Sequence, residues 1–176
     1  MRVPPMTETS GVVFDRIDED RLGAVARSLA SGAIDGGVIH GGVIHLVGPL
    51  GAGKTTFARA FLRALGVGER IKSPTYSLIE TYALANLSAH HLDLYRIAAA
   101  DELEWLGLRD LATGRQLWLI EWPEHGAGAI PAADLSVRLA HAGEVRDLHM
   151  EAHTTHGSDW LRRAHSREFR STNTAS

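Results

Sequence analysis

Residues 48–55 read GPLGAGKT and match the phosphate-binding pattern G-x-x-x-x-G-K-[ST]. Glycines let successive backbone N–H groups point inward at phosphate oxygens, and the following helix adds the positive end of its dipole. In this pattern the lysine neutralises β- and γ-phosphate oxygens, and the threonine hydroxyl is a ligand for Mg²⁺. The stretch predicts a site for a nucleoside triphosphate; the alternative is a glycine-rich strand-to-helix turn without a ligand. The residues that carry the prediction are Gly48, Gly51, Gly53, Lys54 and Thr55.

The sequence favours ATP over GTP. Guanine-specific relatives of such a turn recognise the base with an N-K-x-D loop, and neither Lys54 nor Lys72 stands in one. A D-x-x-G segment occurs at residues 20–23, but it precedes the glycine-rich turn and so lies on the wrong side for a GTPase switch. We therefore expect ATP as the nucleotide.

Two acidic residues stand at or near the ends of apolar segments that are typical of buried strands. Asp93 lies in HHLDLYR and Glu121 in LWLIEWPE. A carboxylate in such a place is costly unless a cation is near it, and Mg²⁺ in triphosphate sites is commonly held by a strand-end carboxylate. We expect one of the two to hold the metal, directly or through water, and the other to orient the attacking water. The alternatives are a carboxylate that faces water, or Asp93 paired with Arg96.

Thr75, in the loop KSPTY, is a further candidate. A threonine between the glycine-rich turn and the first carboxylate can close onto Mg²⁺ and the γ-phosphate, as the switch loops of nucleotide hydrolases do. Pro74 stiffens the approach. The alternative is an ordinary turn threonine.

The ten histidines show no spacing typical of metal ligands. His90 and His91 are adjacent, so a strand would point them to opposite faces of its sheet. We expect structural or solvent-facing roles for the histidines and no transition metal. Trp122, next to Glu121, is a candidate wall of the site.

The elements that must position these residues follow from apolar periodicity and turn residues. Asp18 is expected to cap a helix whose apolar stripe runs from Leu22 to Leu29. The pentapeptide GGVIH occurs twice in residues 36–45 and reads as a local duplication that lengthens a loop or strand lead-in. The later predicted elements are strands over 43–47, 77–84, 90–94 and 117–122, helices over 54–65, 101–106 and 109–112, and a hairpin over 135–139 and 146–151.

Composition bounds the remaining possibilities. The chain has 176 residues, 44% of them hydrophobic and 22% charged, a net charge of -3 and no cysteine. This excludes disulfides and thiolate metal sites, gives no overall basic field for nucleic acid, and offers no apolar run of membrane-spanning length. We expect one domain over residues 1–152 and a polar, partly disordered tail over 153–176, with one helical turn around Trp160. A cytoplasmic protein without a secretory leader is the default expectation.

Five segments stand in an order that resembles the TsaE family. They are GPLGAGKTTFARAFLRALG, IKSPTYSLIETY, HHLDLYRI, ELEWLGLRD and LIEWPE. The resemblance spans roughly residues 18–146 and implies an α/β fold of the P-loop NTPase kind, a mainly parallel sheet flanked by helices with added antiparallel strands. It also implies an ATP-binding and ATP-hydrolysing subunit of the bacterial machinery that makes threonylcarbamoyladenosine in tRNA. Such a subunit acts on a complex of TsaD and TsaB and meets tRNA only through that complex.

The resemblance implies roles for individual residues as well. The phosphate-contacting residues of the family correspond to residues 51–56 and so add Ala52 and Thr56 to the set. Thr55 and Glu121 correspond to ligands of Mg²⁺, Asp93 to the second acidic residue, and Thr75 to the switch-like threonine. Catalytic roles are therefore expected for Lys54, Asp93, Glu121 and Thr75, with ATP and Mg²⁺ as cofactors.

Two other function classes remain open at this point. A small-molecule kinase shares the glycine-rich turn but needs an acceptor site and usually an arginine-bearing lid, and no arginine-rich segment follows Glu121 before the late hairpin. A nucleotide-gated binding module would bind ATP without useful hydrolysis. Replacing Glu121 separates a hydrolase from such a module.

Overall fold

The computed structural model describes residues 11–68 and 70–172. In chain order its strands are β1 (Gly11–Ile17), β2 (Ile34–Asp35), β3 (Val38–Ile39), β4 (Gly42–Val47), β5 (Ile79–Ala83), β6 (Ser88–Asp93), β7 (Gln116–Glu121), β8 (Leu135–Ala142) and β9 (Val145–Ala152). The α-helices are α1 (Glu19–Gly32), α2 (Lys54–Ala64), α3 (Leu108–Leu111) and α4 (Thr155–Thr172), and two 3₁₀ helices span Ala100–Leu106 and Pro123–Gly126. None of the helices in this part of the chain is long and apolar enough to cross a membrane.

Seven strands form one sheet in the order β1-β9-β8-β4-β7-β6-β5. The four central strands β8, β4, β7 and β6 are parallel, whereas β5 adds antiparallel to one edge and β9 with β1 add antiparallel to the other. The predicted α/β fold, a parallel sheet with antiparallel additions and flanking helices, is confirmed. Because parallel strands end at the same edge of a sheet, β4, β6 and β7 deliver their carboxyl ends to one place.

The central strands are apolar because helices cover one face and short helical segments cover the other. On the first face, α1 and α2 pack against the sheet with a stripe that includes Leu22, Leu29, Phe57 and Phe61, all fully buried. On the second face, the segments that contain the first 3₁₀ helix and α3 cover Trp118 and its neighbours. Both sides of β4 and β7 are thus held in packed apolar surroundings, so their ends are held firmly.

The first two predicted helices form as expected. Asp18 caps α1, with its side chain accepting a hydrogen bond of 2.8 Å from the backbone N–H of Arg21. An acceptor at this position satisfies one of the free N–H groups at a helix start. α2 begins directly after the glycine-rich turn at Lys54, so the lysine and Thr55 stand in its first turn.

The duplicated pentapeptide lies at the start of β4. The first copy supplies the Gly36–Gly37 turn of the β2–β3 hairpin, and the second copy enters β4. The side chain of Asn86 exchanges two hydrogen bonds with the backbone of Ile39, at 3.1 and 2.8 Å, and so takes the place of a neighbouring strand. The duplication therefore lengthens the lead-in to β4.

The end of the chain differs from the sequence-based expectation of a polar tail. α4 is an 18-residue helix, and three of its side chains, Trp160, Leu161 and Ala164, are buried against α1. The indole Nε1 of Trp160 donates to the carbonyl of Leu29 at 2.8 Å. These apolar residues are hard to recognise as a helix face from the sequence because they stand among polar and charged residues. Residues 173–176 of the expected tail and residues 1–10 of the expected domain lie outside the described residues.

Replacing Trp160 with alanine is expected to destabilise the whole fold. Removing a fully buried tryptophan leaves a cavity and costs about 3–5 kcal/mol. Urea unfolding measures this as a lower midpoint with an unchanged slope. Arg162→Ala on the same helix is the matched control, because its side chain is 75% exposed in an ion pair with Asp159, and surface pairs of this kind contribute about 1 kcal/mol or less. Equal midpoints for the two variants would show that α4 is not part of the cooperative fold.

Candidate functional site

The glycine-rich turn between β4 and α2 has a backbone that side chains would disturb at two points. Gly48 passes so close to β8 that an added Cβ would lie 2.4 Å from the carbonyl oxygen of Leu139. Gly53 has φ of 106°, a left-handed conformation that L-residues rarely adopt. These two glycines let the backbone turn tightly between the end of β4 and the first turn of α2.

Lys54 is buried at the centre of this turn, with 4% of its surface exposed. Its Nζ donates to the carbonyl oxygens of Gly48 at 2.7 Å and Pro49 at 2.9 Å, and it lies 4.1 Å from the centre of the Trp122 ring. Burial lowers the pKa of the Lys54 ammonium, and nearby Glu121 acts in the opposite direction. A phosphate placed here would add negative charge beside the ammonium and so favour its charged form.

Thr55 and Glu121 meet across the site. The Thr55 hydroxyl is 3.0 Å from each carboxylate oxygen of Glu121, and Glu121 Oε1 is also 2.8 Å from Nε2 of His91. Glu121 is only 2% exposed. Its carboxylate is therefore fixed from two sides, by a hydroxyl on α2 and an imidazole on β6.

Asp93 stands beside Glu121, because the β6–β7 register pairs the two residues. Its Oδ2 is 3.4 Å from the Thr75 hydroxyl, its Oδ1 accepts from the backbone N–H of Tyr95 at 3.0 Å, and Ser73 hydrogen-bonds to Thr75 at 2.7 Å. The alternative of an Asp93–Arg96 ion pair is not found among the described residues. The loop that contains Thr75 thus reaches the end of β6, as the switch-like interpretation requires.

These residues line a cavity of about 300 Å³ at the carboxyl edge of the sheet. Arg96 forms part of its rim and stacks over the ring of Tyr76 at 4.4 Å. The structure brings eight of the predicted site residues to the wall of this cavity: Gly51, Gly53, Lys54, Thr55, Thr56, Thr75, Asp93 and Glu121. Gly48 and Ala52 do not line it, and they lie in the turn behind the wall.

Sequence reasoning missed two features of the site. His91 was expected to have a structural role, yet it contacts Glu121 directly. The strand period gave a signal, since His91 and Asp93 are two residues apart and so share a face. The other feature is the backbone of Trp122, whose φ of 56° and ψ of 50° are left-handed. Such strain in a non-glycine residue is typical of functional sites, and no sequence pattern announces it.

The oxygen atoms of Thr55 and Glu121 fit a Mg²⁺ ion. Ligands on neighbouring corners of an octahedron with bonds of 2.0–2.1 Å lie about 3 Å apart, and the two residues are separated by 3.0 Å. No cluster of three or more acidic or histidine side chains able to hold a metal occurs among residues 11–68 and 70–172. One or two protein ligands completed by phosphate and water oxygens are the usual set for Mg²⁺ in triphosphate sites.

Comparison with known proteins agrees with this architecture. Residues 17–148 match the family described as threonylcarbamoyl adenosine biosynthesis protein TsaE. The chain belongs to the TsaE family. The match includes the glycine-rich turn, the Thr75 loop and both acidic residues, so the whole candidate site lies inside it.

Several relatives in the TsaE family are similar over much of this chain. The tRNA threonylcarbamoyladenosine biosynthesis protein TsaE of Haemophilus influenzae is 42% identical over 114 residues, 65% of this chain and 72% of the relative. The protein of the same name from Bacillus subtilis is 38% identical over 56% of this chain and 61% of the relative. The crystal structure of Bacillus subtilis YdiB superposes with a TM-score of 0.73 over 91% of this chain and 97% of that chain, at 24% identity. That last likeness concerns the fold alone.

Gly53→Ala is expected to abolish nucleotide binding. Alanine at this φ costs roughly 1–2 kcal/mol, and its Cβ would lie 2.9 Å from a methyl group of Leu22. Gly66→Ala is the control, because Gly66 follows the other end of α2 with a similar φ of 97° and open space around it. Both variants should be less stable in urea unfolding, and only Gly53→Ala should fail to bind ATP in isothermal titration. Normal ATP binding by Gly53→Ala would mean that the curled turn is not the phosphate site.

Proposed function

We propose that this protein binds and hydrolyses ATP with Mg²⁺ as a subunit of the machinery that makes threonylcarbamoyladenosine in tRNA. The observation that carries the proposal is the convergence of Lys54, Thr55, Asp93 and Glu121 around one cavity at the carboxyl edge of a parallel sheet. Membership of the TsaE family supplies the biosynthetic context. A role in modifying tRNA also makes the cytoplasm the expected location of this protein.

The geometry supports a division of labour between the two carboxylates. The Thr55 hydroxyl lies 3.0 Å from both carboxylate oxygens of Glu121, so these two residues would hold Mg²⁺. When bound, the metal screens the negative charge of the phosphates. The Oδ2 of Asp93 lies 3.4 Å from the hydroxyl of Thr75, on the side of the loop that contains Thr75. We place Asp93 there to accept a hydrogen bond from the attacking water.

Hydrolysis itself needs positioning more than covalent chemistry. A water oxygen forms a bond to the γ-phosphorus, and the bond from that phosphorus to the bridging oxygen breaks, so that ADP leaves with the electron pair. One proton of the water stays on the phosphate product and the other passes to solvent. Lys54 stabilises the charge that develops on the phosphate oxygens, and the indole of Trp122 limits the access of other water molecules to its ammonium. Burial of the lysine strengthens this effect, since charges interact more strongly away from water.

We further propose that a complex of TsaD and TsaB docks over the mouth of the cavity, and that tRNA is reached only through that complex. Three exposed apolar side chains support the location: Leu50 is 67% exposed, Tyr76 85% and Tyr95 45%. Leu50 and Tyr95 line the cavity, and Tyr76 follows Thr75 directly. Exposed aromatic residues together with arginine are typical of protein interfaces. A site that is finished by a partner also explains why we expect slow hydrolysis by the isolated chain.

Glu121→Ala should keep ATP binding and lose hydrolysis. The phosphate contacts of the turn remain, but the metal loses its carboxylate, and removing one such electrostatic contribution costs about 100-fold or more in rate. Lys54→Ala should lose hydrolysis together with most of the affinity. Isothermal titration and phosphate release measure the two quantities separately.

The control is Glu104→Ala, whose side chain is 71% exposed in a loose ion pair with Arg109 away from the cavity. It should match the unmodified protein in both assays. If Glu121→Ala hydrolysed ATP at the normal rate, the site would be a binding module and not a hydrolase. Phosphoryl transfer to a metabolite at a rate above that of hydrolysis would instead support a small-molecule kinase.

A pull-down with TsaD and TsaB tests the partner proposal. The complex should form in an ATP-dependent manner and should raise the hydrolysis rate. Tyr76→Ala should weaken capture and stimulation without changing ATP affinity, because Tyr76 lies at the mouth and not on the cavity wall. Val13→Ala, an exposed apolar residue on β1, is the control. A hydrolysis rate that TsaD and TsaB leave unchanged would contradict the proposal.

A further inference from the structure

His91 is a buried polar residue whose placement the nucleotide-site residues alone do not explain. Its side chain is fully shielded from solvent, and its Nε2 lies 2.8 Å from Oε1 of Glu121. The second ring nitrogen, Nδ1, has no hydrogen-bond partner among the described residues. Burying an imidazole with one ring nitrogen unpaired costs folding free energy. A role for the contact to Glu121 would explain why such a residue is placed here.

Strand register brings the two side chains together. β6 and β7 are parallel neighbours in which His91 pairs with Leu119 and Asp93 pairs with Glu121. His91, Asp93 and Glu121 therefore share one face of the sheet, with the imidazole one step farther from the cavity than the carboxylates.

The unpartnered nitrogen decides which atom carries the proton. A proton on Nδ1 would be a buried donor without an acceptor, whereas a bare Nδ1 leaves only an unsatisfied acceptor. The neutral tautomer with hydrogen on Nε2 is therefore favoured, and that hydrogen is donated to Glu121 Oε1. The same arrangement, a histidine N–H held by a carboxylate, is common around metal sites.

We infer that His91 is a positioning residue that fixes the carboxylate of Glu121 for Mg²⁺. With Oε1 held by the imidazole, the carboxylate cannot rotate freely, and both of its oxygens stay 3.0 Å from the Thr55 hydroxyl. Without the imidazole, Glu121 must give up rotational freedom each time the metal binds. The inference rests on the proposed Mg²⁺–ATP site and names the residue that orders it.

Two substitutions separate positioning from packing. His91→Gln keeps a side-chain N–H near the place of Nε2, whereas His91→Asn is one methylene shorter and does not reach Glu121. Both are polar and similar in volume, so they disturb the buried strand to a comparable degree. His90→Asn is the control, because His90 is adjacent and equally buried but faces the other side of the sheet, against Trp118 and Thr81.

The measurement is ATP affinity by isothermal titration in EDTA and across a Mg²⁺ series, with the full-length protein. His91→Asn should need about 10- to 100-fold more Mg²⁺ to reach the half-maximal effect, the usual loss for a residue that orients a metal ligand. Its affinity for ATP in EDTA should stay unchanged. His91→Gln should lie within about threefold of the unmodified protein, and His90→Asn should match it.

The outcomes are distinct. Equal Mg²⁺ requirements in His91→Asn and His91→Gln, or an equal loss of ATP affinity in EDTA and in Mg²⁺, would overturn the positioning role. If the unmodified protein bound ATP without any effect of Mg²⁺, the proposed function itself would fail. In a Glu121→Ala background, His91→Asn should cause no further change in the Mg²⁺ requirement. The effect of His91 acts through the Glu121 carboxylate, so it is lost once that carboxylate has been removed.

Discussion

Two carboxylates that end neighbouring strands in near-complete burial are the constraint around which the rest of the site is arranged. Asp93 and Glu121 are 6% and 2% exposed and are paired in register. Like charges this close, removed from water, are unfavourable unless hydrogen-bond donors and positive charge surround them. The protein supplies donors from three directions: a hydroxyl on α2, an imidazole on β6 and the loop that contains Thr75. The buried ammonium of Lys54 stands nearby and adds positive charge.

The sequence predicted much of this arrangement, for a simple reason. Residues that follow buried parallel strands must meet at one edge, so the glycine-rich turn, Asp93 and Glu121 could be placed together without coordinates. α1 was also predictable, because a capping aspartate precedes a regular apolar stripe. The hydroxyl that each carboxylate contacts, Thr55 for Glu121 and Thr75 for Asp93, could not be predicted in this way, since it depends on how α2 and the Thr75 loop pack.

Other features escaped prediction because they depend on tertiary contacts. Among residues 155–166 of α4, the buried apolar side chains of Trp160, Leu161 and Ala164 stand between polar ones, and the place of the helix in the fold is visible only once α1 offers a surface for Trp160. The contact from His91 to Glu121 joins strands that are 30 residues apart in sequence. The left-handed backbone of Trp122 is imposed by its surroundings, and the residue type gives no sign of it.

The position of the duplicated pentapeptide bears on how such a protein can change in length. The β2–β3 hairpin joins β4 at Gly42, whereas the glycine-rich turn begins after Val47, about 17 Å away at the usual rise per strand residue. Chain inserted at the amino end of a parallel strand leaves the opposite end in place. The fold can therefore vary in length at the amino edge of its parallel strands without disturbing the edge where the candidate site lies, and the extra copy of GGVIH lies at that amino edge.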